Sequence, residues 1–144
     1  MKKLLIVLGC IVAVVVFALR SCQAETGEPS EIIPSATNQV TLTITESNST
    51  QATYIVTNHS TDEVTYGYGA VLEKFQDGVW HSMVYKKEVA YPGVAMIVQP
   101  GQQREETTNW RDYHGTLDSG RYRLMKAVSC GSYNYLLCAE FELN

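Results

Sequence analysis

Short runs of alternating apolar and polar residues constrain the fold of this chain more than any other feature. Val40, Leu42 and Ile44 alternate with threonines, and Ala52 and Tyr54 begin a second run of the same kind. An apolar side chain at every second position is the period of a β-strand with one buried face. No helical period follows the N-terminal segment, so the sequence predicts an all-β domain.

Turn signals divide these runs into short strands. Asp77-Gly78 predicts a tight hairpin, and Pro100-Gly101 separates an apolar segment from a polar one. Turns at intervals of about 8 to 12 residues are typical of a β-sandwich. We therefore expect seven to eight antiparallel strands in two packed sheets.

The N-terminus has the order of an export signal. Lys2 and Lys3 precede an apolar run over residues 4–19, and small and polar residues follow it. A basic, an apolar and a small-polar segment in this order direct a chain out of the cytoplasm. Residues 1–21 are thus predicted to be a signal peptide or membrane anchor.

The N-terminal segment could be processed in several ways after export. Cys22 resembles the lipid-modified cysteine of bacterial lipoproteins, although Arg20 departs from that motif; Cys10 has a better local match but too short an apolar segment before it. Cleavage after Ala24 would secrete the domain. A retained helix over residues 4–19 would rise about 24 Å, which is short for a bilayer core of about 30 Å. We expect a lipid anchor at Cys22 first, then a retained helix, then secretion.

Composition separates a linker from a domain after the signal. Residues 22–38 contain mostly Glu, Pro, Ser, Thr, Asn and Gly, with Ile32 and Ile33 as an apolar pair. Such a segment buries too little surface to offset its ordering entropy. The sequence therefore predicts a flexible tether over 22–38 and one domain over 39–144.

Charge excludes one class of partner. Beyond residue 21 the chain has eight Lys and Arg against fifteen Asp and Glu, a net charge of −7. A domain this acidic has no electrostatic footprint for a phosphate backbone, so nucleic acid is not an expected partner. We expect a monomeric domain that meets the membrane through its N-terminus and a protein or envelope component elsewhere.

The order L-x-x-G-x-Y, formed by Leu117, Gly120 and Tyr122, precedes a long apolar strand. In β-sandwiches this arrangement is typical of a tyrosine corner, in which the tyrosine hydroxyl returns to the backbone a few residues upstream. An ordinary strand tyrosine after a glycine turn is the alternative. We interpret Tyr122 as a structural residue.

Two cysteines near the C-terminus, Cys130 and Cys138, flank a Gly-Ser-Tyr-Asn turn. With the hairpin centred on Asn134, the two residues would face each other across the last two strands, and an exported chain meets conditions that favour disulfides. The sequence predicts a disulfide between them. Two reduced thiols that pack as small apolar residues are the alternative.

No catalytic or metal site is evident. His59, His81 and His114 lie far apart without the spacing of metal ligands. Asp112 precedes His114 by two positions, but no nucleophile motif accompanies them. We therefore expect no metal, no cofactor and no enzymatic activity.

Tyrosines outnumber phenylalanines, and we assign them two roles. Trp80 is predicted to be the core ring between the sheets, a structural role. Tyr91 precedes a Pro-Gly turn, and Tyr133 and Tyr135 lie at or beside a hairpin tip. Exposed rings on loops are frequent contact residues, so these three are candidates for ligand contact.

Several spaced blocks resemble a known family, namely YGYGAVLEKFQDGVWHSMV, MIVQPGQQREETTNW, LDSGRYRLMKAV and YLLCAEFEL. They are similar to the bacterial immunoglobulin-like (Ig-like) domain of small exported Gram-positive lipoproteins, over about residues 38 to 144. The resemblance implies an Ig-like sandwich outside the cytoplasm, without catalytic residues. It leads us to expect a non-enzymatic binding or spacer module tethered to the cell envelope. A weaker similarity to the bacterial intracellular proteinase inhibitor family gives a protease inhibitor as the alternative.

Overall fold

Two antiparallel sheets contain all the strands of the computed structural model, which describes residues 22–144. The predicted signal peptide or anchor helix, residues 1–21, lies outside the described residues. The strands are β1 Thr26–Pro29, β2 Val40–Ser47, β3 Gln51–Asn58, β4 Val64–Tyr66, β5 Val71–Gln76, β6 Val79–Met83, β7 Met96–Val98, β8 Gln103–Asn109, β9 Gly120–Cys130 and β10 Tyr133–Leu143. The predicted all-β sandwich is confirmed, with ten strands in the described residues where the sequence predicted seven to eight.

The long strand β9 organises the larger sheet. One of its edges pairs with β10 over eleven positions, and the other pairs with β5 near its start and with β4 near its end. The order across this sheet is β1-β6-β5-β9-β4-β7, with β10 joined to β9. The smaller sheet has the order β2-β3-β8. The strands predicted from alternation, β2 and β3, thus form one side of the sandwich.

The core between the sheets follows the predicted alternation. Val40 and Leu42 on β2 and Val56 on β3 are buried against Leu124 and Val128 on β9. Alternate residues of a strand face opposite sides of the sheet. The apolar half of each pattern therefore faces the other sheet.

The tryptophan in the core between the sheets is Trp110. The prediction that Trp80 is this core ring was wrong. Trp110 is 2% exposed and its ring stacks on Phe141 at 5.3 Å between centroids. Trp80 lies three positions before the core residue Met83 on β6, so it faces the opposite side of the sheet. There it lies only partly buried, with the Arg123 guanidinium 4.6 Å from its ring centroid.

Tyr122 has the hydroxyl geometry that the L-x-x-G-x-Y order predicts. The residue is fully buried, and its hydroxyl lies 3.0 Å from the carbonyl oxygen of Asp118 and 2.8 Å from Oδ1 of the same residue. The hydroxyl has one proton, which it can donate to either of these two oxygens. The hydroxyl thereby fixes the connection that enters β9.

Two tight turns show how glycine sets strand register. Asp77 and Gly78 both have positive φ, 52° and 82°, and connect β5 to β6 as the sequence predicted. Two central residues with φ > 0 match the right-handed twist of the flanking strands. In the β9–β10 hairpin, Gly131 has a φ of 55° and Cys130 pairs directly with Tyr133. The second turn is therefore centred on residues 131 and 132.

This register overturns the predicted disulfide. Cys138 pairs with Met125, five positions along β9 from Cys130, which corresponds to about 17 Å. A disulfide needs Cα atoms within about 7 Å. Both cysteines are free thiols. The prediction failed because it centred the hairpin on Asn134.

The predicted flexible tether is also wrong where the structure describes it. Thr26 pairs with Met83 and Pro29 with His81, so β1 is the edge strand beside β6. Backbone bonds also flank it, from Val84 N to Glu25 O at 2.9 Å and from Ser30 N to the Trp80 carbonyl at 2.8 Å. The segment is ordered by partners distant in sequence, which its own composition does not reveal.

Residues 30–37, which we call the strap, continue from β1 across the outer face of the larger sheet. Arg123 on β9 donates to the Ile32 carbonyl at 3.0 Å. Ser35 N then donates to the Leu136 carbonyl at 2.9 Å, and Leu136 N donates to Ser35 Oγ at 2.9 Å. The strap thus passes from β6, over β9, to β10 before β2 begins.

A buried ion pair lies on this outer face. Glu73 and Arg123 are directly opposite on β5 and β9, and the guanidinium Nε donates to Glu73 Oε2 at 2.6 Å. The two side chains are 0% and 7% exposed. Glu73 Oε1 has no partner among the described residues. The strap and Trp80 cover these charges, so the outer face forms a second, polar interior.

Lys126 is a charged residue on the core face. It is fully buried, and its Nζ donates to the carbonyls of Gly67 at 2.7 Å and Gly69 at 2.8 Å. Burial lowers the pKa of this amine to about 8. These bonds hold the connection between β4 and β5, both of which pair with the same edge of β9.

Candidate interaction surfaces

The tip of the β9–β10 hairpin presents two of the predicted contact tyrosines. Tyr133 follows the turn and is 66% exposed. Tyr135 is half-buried against the core, and its ring lies 6.2 Å from that of Tyr133 with 16° between the planes. Residues two positions apart on a strand share a face, so the rings stack without rearrangement. The tip therefore offers an exposed aromatic surface supported by a fixed ring.

Hydrogen bonding also restrains the tip. Ser129 on β9 donates its hydroxyl to Asn134 Oδ1 at 2.7 Å across the hairpin. At the turn itself, a Cβ on Gly131 would lie 2.7 Å from Asp62 Oδ2, so a larger residue at this position would have to displace the Asp62 side chain. A restrained surface loses less conformational entropy on binding.

Tyr91, the third predicted contact residue, belongs to a different surface. It lies between β6 and β7, is 38% exposed and has its ring 5.9 Å from that of Tyr113. Burial and the neighbouring Tyr85 raise the pKa of Tyr91 to about 12. Tyr85 donates its hydroxyl to the Ala70 carbonyl at 3.2 Å. Tyr91 is therefore one of three clustered tyrosines.

An open groove of about 490 Å³ runs beside this cluster. Its lining residues are Tyr85, Lys87, Glu88, Val89 and Tyr91. The ammonium of Lys87 lies 5.7 Å from the ring centroid of Tyr113, within the range of a cation–π contact. The surface combines exposed rings, an aliphatic side chain and a cation.

A buried histidine supports the cluster. His114 Nδ1 lies 2.9 Å from the Val84 carbonyl, so Nδ1 carries the proton in this bond. Its ring packs 4.3 Å from that of Tyr85, and burial lowers its pKa. Lys86 N donates to the Tyr113 carbonyl at 2.8 Å. The loops that hold Tyr85 and Tyr113 are thereby joined.

Cys22, the predicted lipid-bearing residue, is held by the same loops. Its carbonyl accepts from Thr116 N at 2.8 Å, and Ala24 N donates to the Thr116 carbonyl at 2.9 Å. Gly115 has a φ of +100°, and a Cβ there would lie 2.7 Å from the Cys22 carbonyl oxygen. The residue itself is exposed. The chain therefore meets the domain directly at Cys22.

The two aromatic surfaces are on different parts of the larger sheet. Tyr85 follows β6, and the Tyr91 ring lies beside Gly69 in the connection between β4 and β5. Tyr133 and Tyr135 are on β10, which pairs with the opposite edge of β9 from β4 and β5. The sequence predicted all three tyrosines as contacts but did not separate them.

Sequence reasoning missed the buried charges and two members of the cluster. Arg121 and Arg123 alternate with Tyr122 and Leu124, a pattern that places both cations on the outer face. Lys126 interrupts the apolar half of the same alternation, which was a signal for a buried amine. Tyr85 and Tyr113 carried no comparable signal, because loop packing brings them together.

The described part of the chain has no group of three or more His, Cys, Asp or Glu arranged to hold a metal. Among residues 22–144, no helix has the length and apolarity needed to cross a bilayer.

Comparison with known proteins gives one family. A family model described as a bacterial Ig-like domain matches residues 35–142. No curated protein matches the chain.

Similarities to solved structures are distant. A protein from Archaeoglobus fulgidus is 10% identical, with 74% of this chain and 94% of that chain covered and a TM-score of 0.37. The Pseudomonas fluorescens alkylpurine DNA glycosylase bound to DNA containing an abasic site analog is 15% identical, with 74% of this chain and 30% of that chain covered and a TM-score of 0.36. A β-glucosidase involved in saponin metabolism from intestinal bacteria is 16% identical, with 84% of this chain and 16% of that chain covered and a TM-score of 0.33. The chain thus spans less than a third of each of these two enzymes.

Proposed function

Because the chain belongs to the family of bacterial Ig-like domains, we propose that it is a non-enzymatic module outside the cytoplasm, tethered to the cell envelope by its N-terminus. It binds a protein or an envelope component through the hairpin tip. The observation that carries this function is the exposed ring of Tyr133 stacked on Tyr135 at the hairpin end of β10, eight positions from Phe141, where β10 stacks on Trp110 of the segment that holds Cys22. The tether and the binding surface therefore do not compete.

The sequence before the domain supports the tether. The apolar run over residues 4–19 ends three residues before Cys22, whose thiol is exposed. A thiol that accepts lipid must be accessible, and a single acyl chain binds membranes only marginally, so the modification carries more than one chain or acts with a second contact. The tether fixes the domain close to the membrane, since Cys22 is already part of the fold.

The aromatic tip supports the binding role. Tyrosine supplies a large contact area with few rotatable bonds and a polar end, and it is enriched in the residues that dominate binding energy. Tyr135 is held by the core and supports the neighbouring ring. A pre-stacked pair of this kind requires little ordering when a partner binds.

The tether is tested in the producing cell with Cys22→Ser. We expect the N-terminal peptide to begin at Cys22 and carry the mass of a lipid in the unaltered protein, and the Ser variant to lose that mass. Cys138→Ser is the matched control, because this thiol is half-buried and lies on β10, outside the segment that follows the apolar run. A soluble protein whose N-terminal peptide starts at Glu25 would contradict the tether.

The binding role is tested with residues 22–144 and isolated envelopes of the producing cell in a sedimentation titration. Replacing Tyr133 and Tyr135 together by Ser should weaken binding by about tenfold or more, since the pair forms the centre of the contact. Tyr68→Ser is the control, because Tyr68 is 45% exposed but lies in the β4–β5 connection. Equal affinities for the two variants would show that the tip is not the contact surface.

A further inference from the structure

The surface beside Cys22 differs from the rest of the domain. We call Tyr85, Lys87, Val89, Tyr91 and Tyr113 the anchor-side patch. Thr116 N, in the loop that contains Tyr113, donates to the Cys22 carbonyl at 2.8 Å, and Lys86 N joins the other loop to this one by donating to the Tyr113 carbonyl at 2.8 Å. The patch is therefore fixed relative to the residue where the chain leaves for the membrane.

Charge sets the patch apart from the rest of the domain. Residues 84–91 and 110–116 contain three basic residues, Lys86, Lys87 and Arg111, and two acidic ones, Glu88 and Asp112. The other described residues have five basic and thirteen acidic side chains. An anionic membrane surface repels the acidic remainder and attracts this one region. The charge distribution thus favours an orientation with the patch toward the lipid.

Exposed apolar groups also favour contact between the patch and a membrane. Tyr85 is 45% exposed and Tyr91 38%, and Val89 lines the groove between them. Amphipathic tyrosine rings concentrate at the headgroup level of membranes, and lysines extend an aliphatic stem along apolar surface with the ammonium in the polar layer. The composition of the patch is that of a protein surface at a membrane interface.

Chain length limits how far the patch can lie from a bilayer. Two residues, Arg20 and Ser21, lie between Leu19 at the end of the apolar run and Cys22, so the three Cα–Cα steps reach about 11 Å when fully extended. A lipid on Cys22 itself would bring the patch closer still. With either form of anchor the loops around Cys22 face the lipid surface.

We propose that the anchor-side patch is a membrane-contact surface, which rests on the headgroup layer of a bilayer containing anionic phospholipid and fixes the orientation of the domain. This proposal rests on the tether of the proposed function. The contact provides a second attachment beside the N-terminal anchor and leaves the hairpin tip, a separate surface on β10, for the partner.

Hydrogen exchange on the full chain in vesicles tests the proposal. The vesicles are of phosphatidylcholine alone or phosphatidylcholine with phosphatidylglycerol, and detergent micelles serve as the reference. Amides of residues 87–91 and 111–113 should exchange more slowly on the anionic vesicles than in micelles, while residues 131–134 at the hairpin tip should not change. Lys87→Gln should lower the loop protection by about fivefold, the effect of one basic residue near an anionic surface. The loss should shrink at high salt.

Tyr91→Ser tests the aromatic part, with Tyr133→Ser as the matched control. Tyr91→Ser should reduce loop protection on vesicles without changing the exchange of β9 amides, which reports that the sandwich stays folded; Tyr133→Ser should leave loop protection unaltered. If the chain sediments with the vesicles but its loops exchange as in micelles, the membrane contact is overturned and the tether stands. If the chain does not sediment with the vesicles, the tether itself is overturned, and the contact with it.

Discussion

The two faces of the larger sheet are built in different ways. On the inner face, Leu72, Leu124 and Val128 pack against the smaller sheet as an apolar core. On the outer face, Glu73 and Arg123 form an ion pair, and the strap covers it. The inner face excludes water with side chains from neighbouring strands, whereas the outer face depends on a segment from the N-terminus.

This difference separates two sources of stability. Apolar burial on the inner face contributes in proportion to area and tolerates small changes of shape. The outer face depends on a complementary pair, because a buried charge without its partner is costly. Changes on the outer face should therefore be more damaging per atom removed, and the predictions below test the two faces in turn.

The largest effect is expected from Arg123→Ala. The substitution leaves Glu73, which is fully buried, without its cation, and removes the donor to the Ile32 carbonyl. Breaking a buried pair on one side costs about 3 to 5 kcal/mol of unfolding free energy. Denaturant unfolding measures the loss, and hydrogen exchange should show the strap amides opening first.

Arg121→Ala is the matched control for this prediction. Arg121 also lies on β9 and near Trp80, but its partner is Glu140 and both side chains are 46% exposed. An exposed pair contributes about 0 to 1 kcal/mol. Equal losses from the two substitutions would mean that the strap does not exclude water from the outer face.

The charge on the inner face should produce a pH dependence. Burial lowers the pKa of Lys126 to about 8, whereas an unfolded lysine has a pKa of about 10.4. Between these values the unfolded chain binds more protons, so the free energy of unfolding rises with pH. Lys126 should contribute a rise of about 2 kcal/mol from pH 7 to pH 9.5, measured as the difference from a Lys126 variant because the raised pKa of the Cys138 thiol acts in the opposite sense.

Lys126→Met should remove this rise, as measured by denaturant unfolding across the same pH range. Above about pH 10 the buried tyrosines act in the opposite sense; burial raises the pKa of Tyr66 to about 12, for example, so its deprotonation favours the unfolded chain. The unfolding free energies of Lys126→Met and the unaltered protein are therefore compared only below pH 10. A variant with the same pH profile as the unaltered protein would show that the amine is solvated in the folded state.

A smaller effect is expected from Tyr122→Phe at the tyrosine corner. The hydroxyl is bonded to Asp118, whose side chain is 58% exposed and can bind water instead. One hydrogen bond contributes about 1 kcal/mol in such a setting. Thermal unfolding should show this loss with an unchanged circular dichroism spectrum. Tyr133→Phe, which alters an exposed hydroxyl, should leave the melting temperature unchanged.

The inner face could be predicted from sequence because its signals are local. Alternation identified β2 and β3, the Asp77-Gly78 pair identified a hairpin, and the order around Tyr122 identified the corner. Each depends on residues a few positions apart. The choice between Trp80 and Trp110 as the core ring required the register of β6, which depends on which face Met83 occupies.

The outer face could not be predicted because its contacts join distant residues. The strap has the composition of a linker, and its order comes from bonds such as Arg123 to Ile32, 91 positions apart. The anchor-side patch has the same origin, since Tyr91 and Tyr113 meet only after the loops pack. The composition of a segment indicates how much apolar surface the segment itself can bury. It does not indicate which hydrogen-bond partners and packing surfaces distant residues supply.

The two cysteines give the smallest expected effect on stability and sharpen the comparison of faces. Cys130 lies on the inner face, buried with its Sγ 3.1 Å from Ser60 Oγ, and Cys138 lies on the outer face, where burial raises the pKa of its thiol. With no bond between them, a reductant should leave the melting temperature unchanged. Alkylation followed by mass spectrometry should modify Cys138 before Cys130, because local opening of the strap exposes Cys138 whereas Cys130 requires the core to open. Arg123→Ala should speed the reaction of Cys138 and leave that of Cys130 nearly unchanged, and equal acceleration at both thiols would show that the two faces open as one unit.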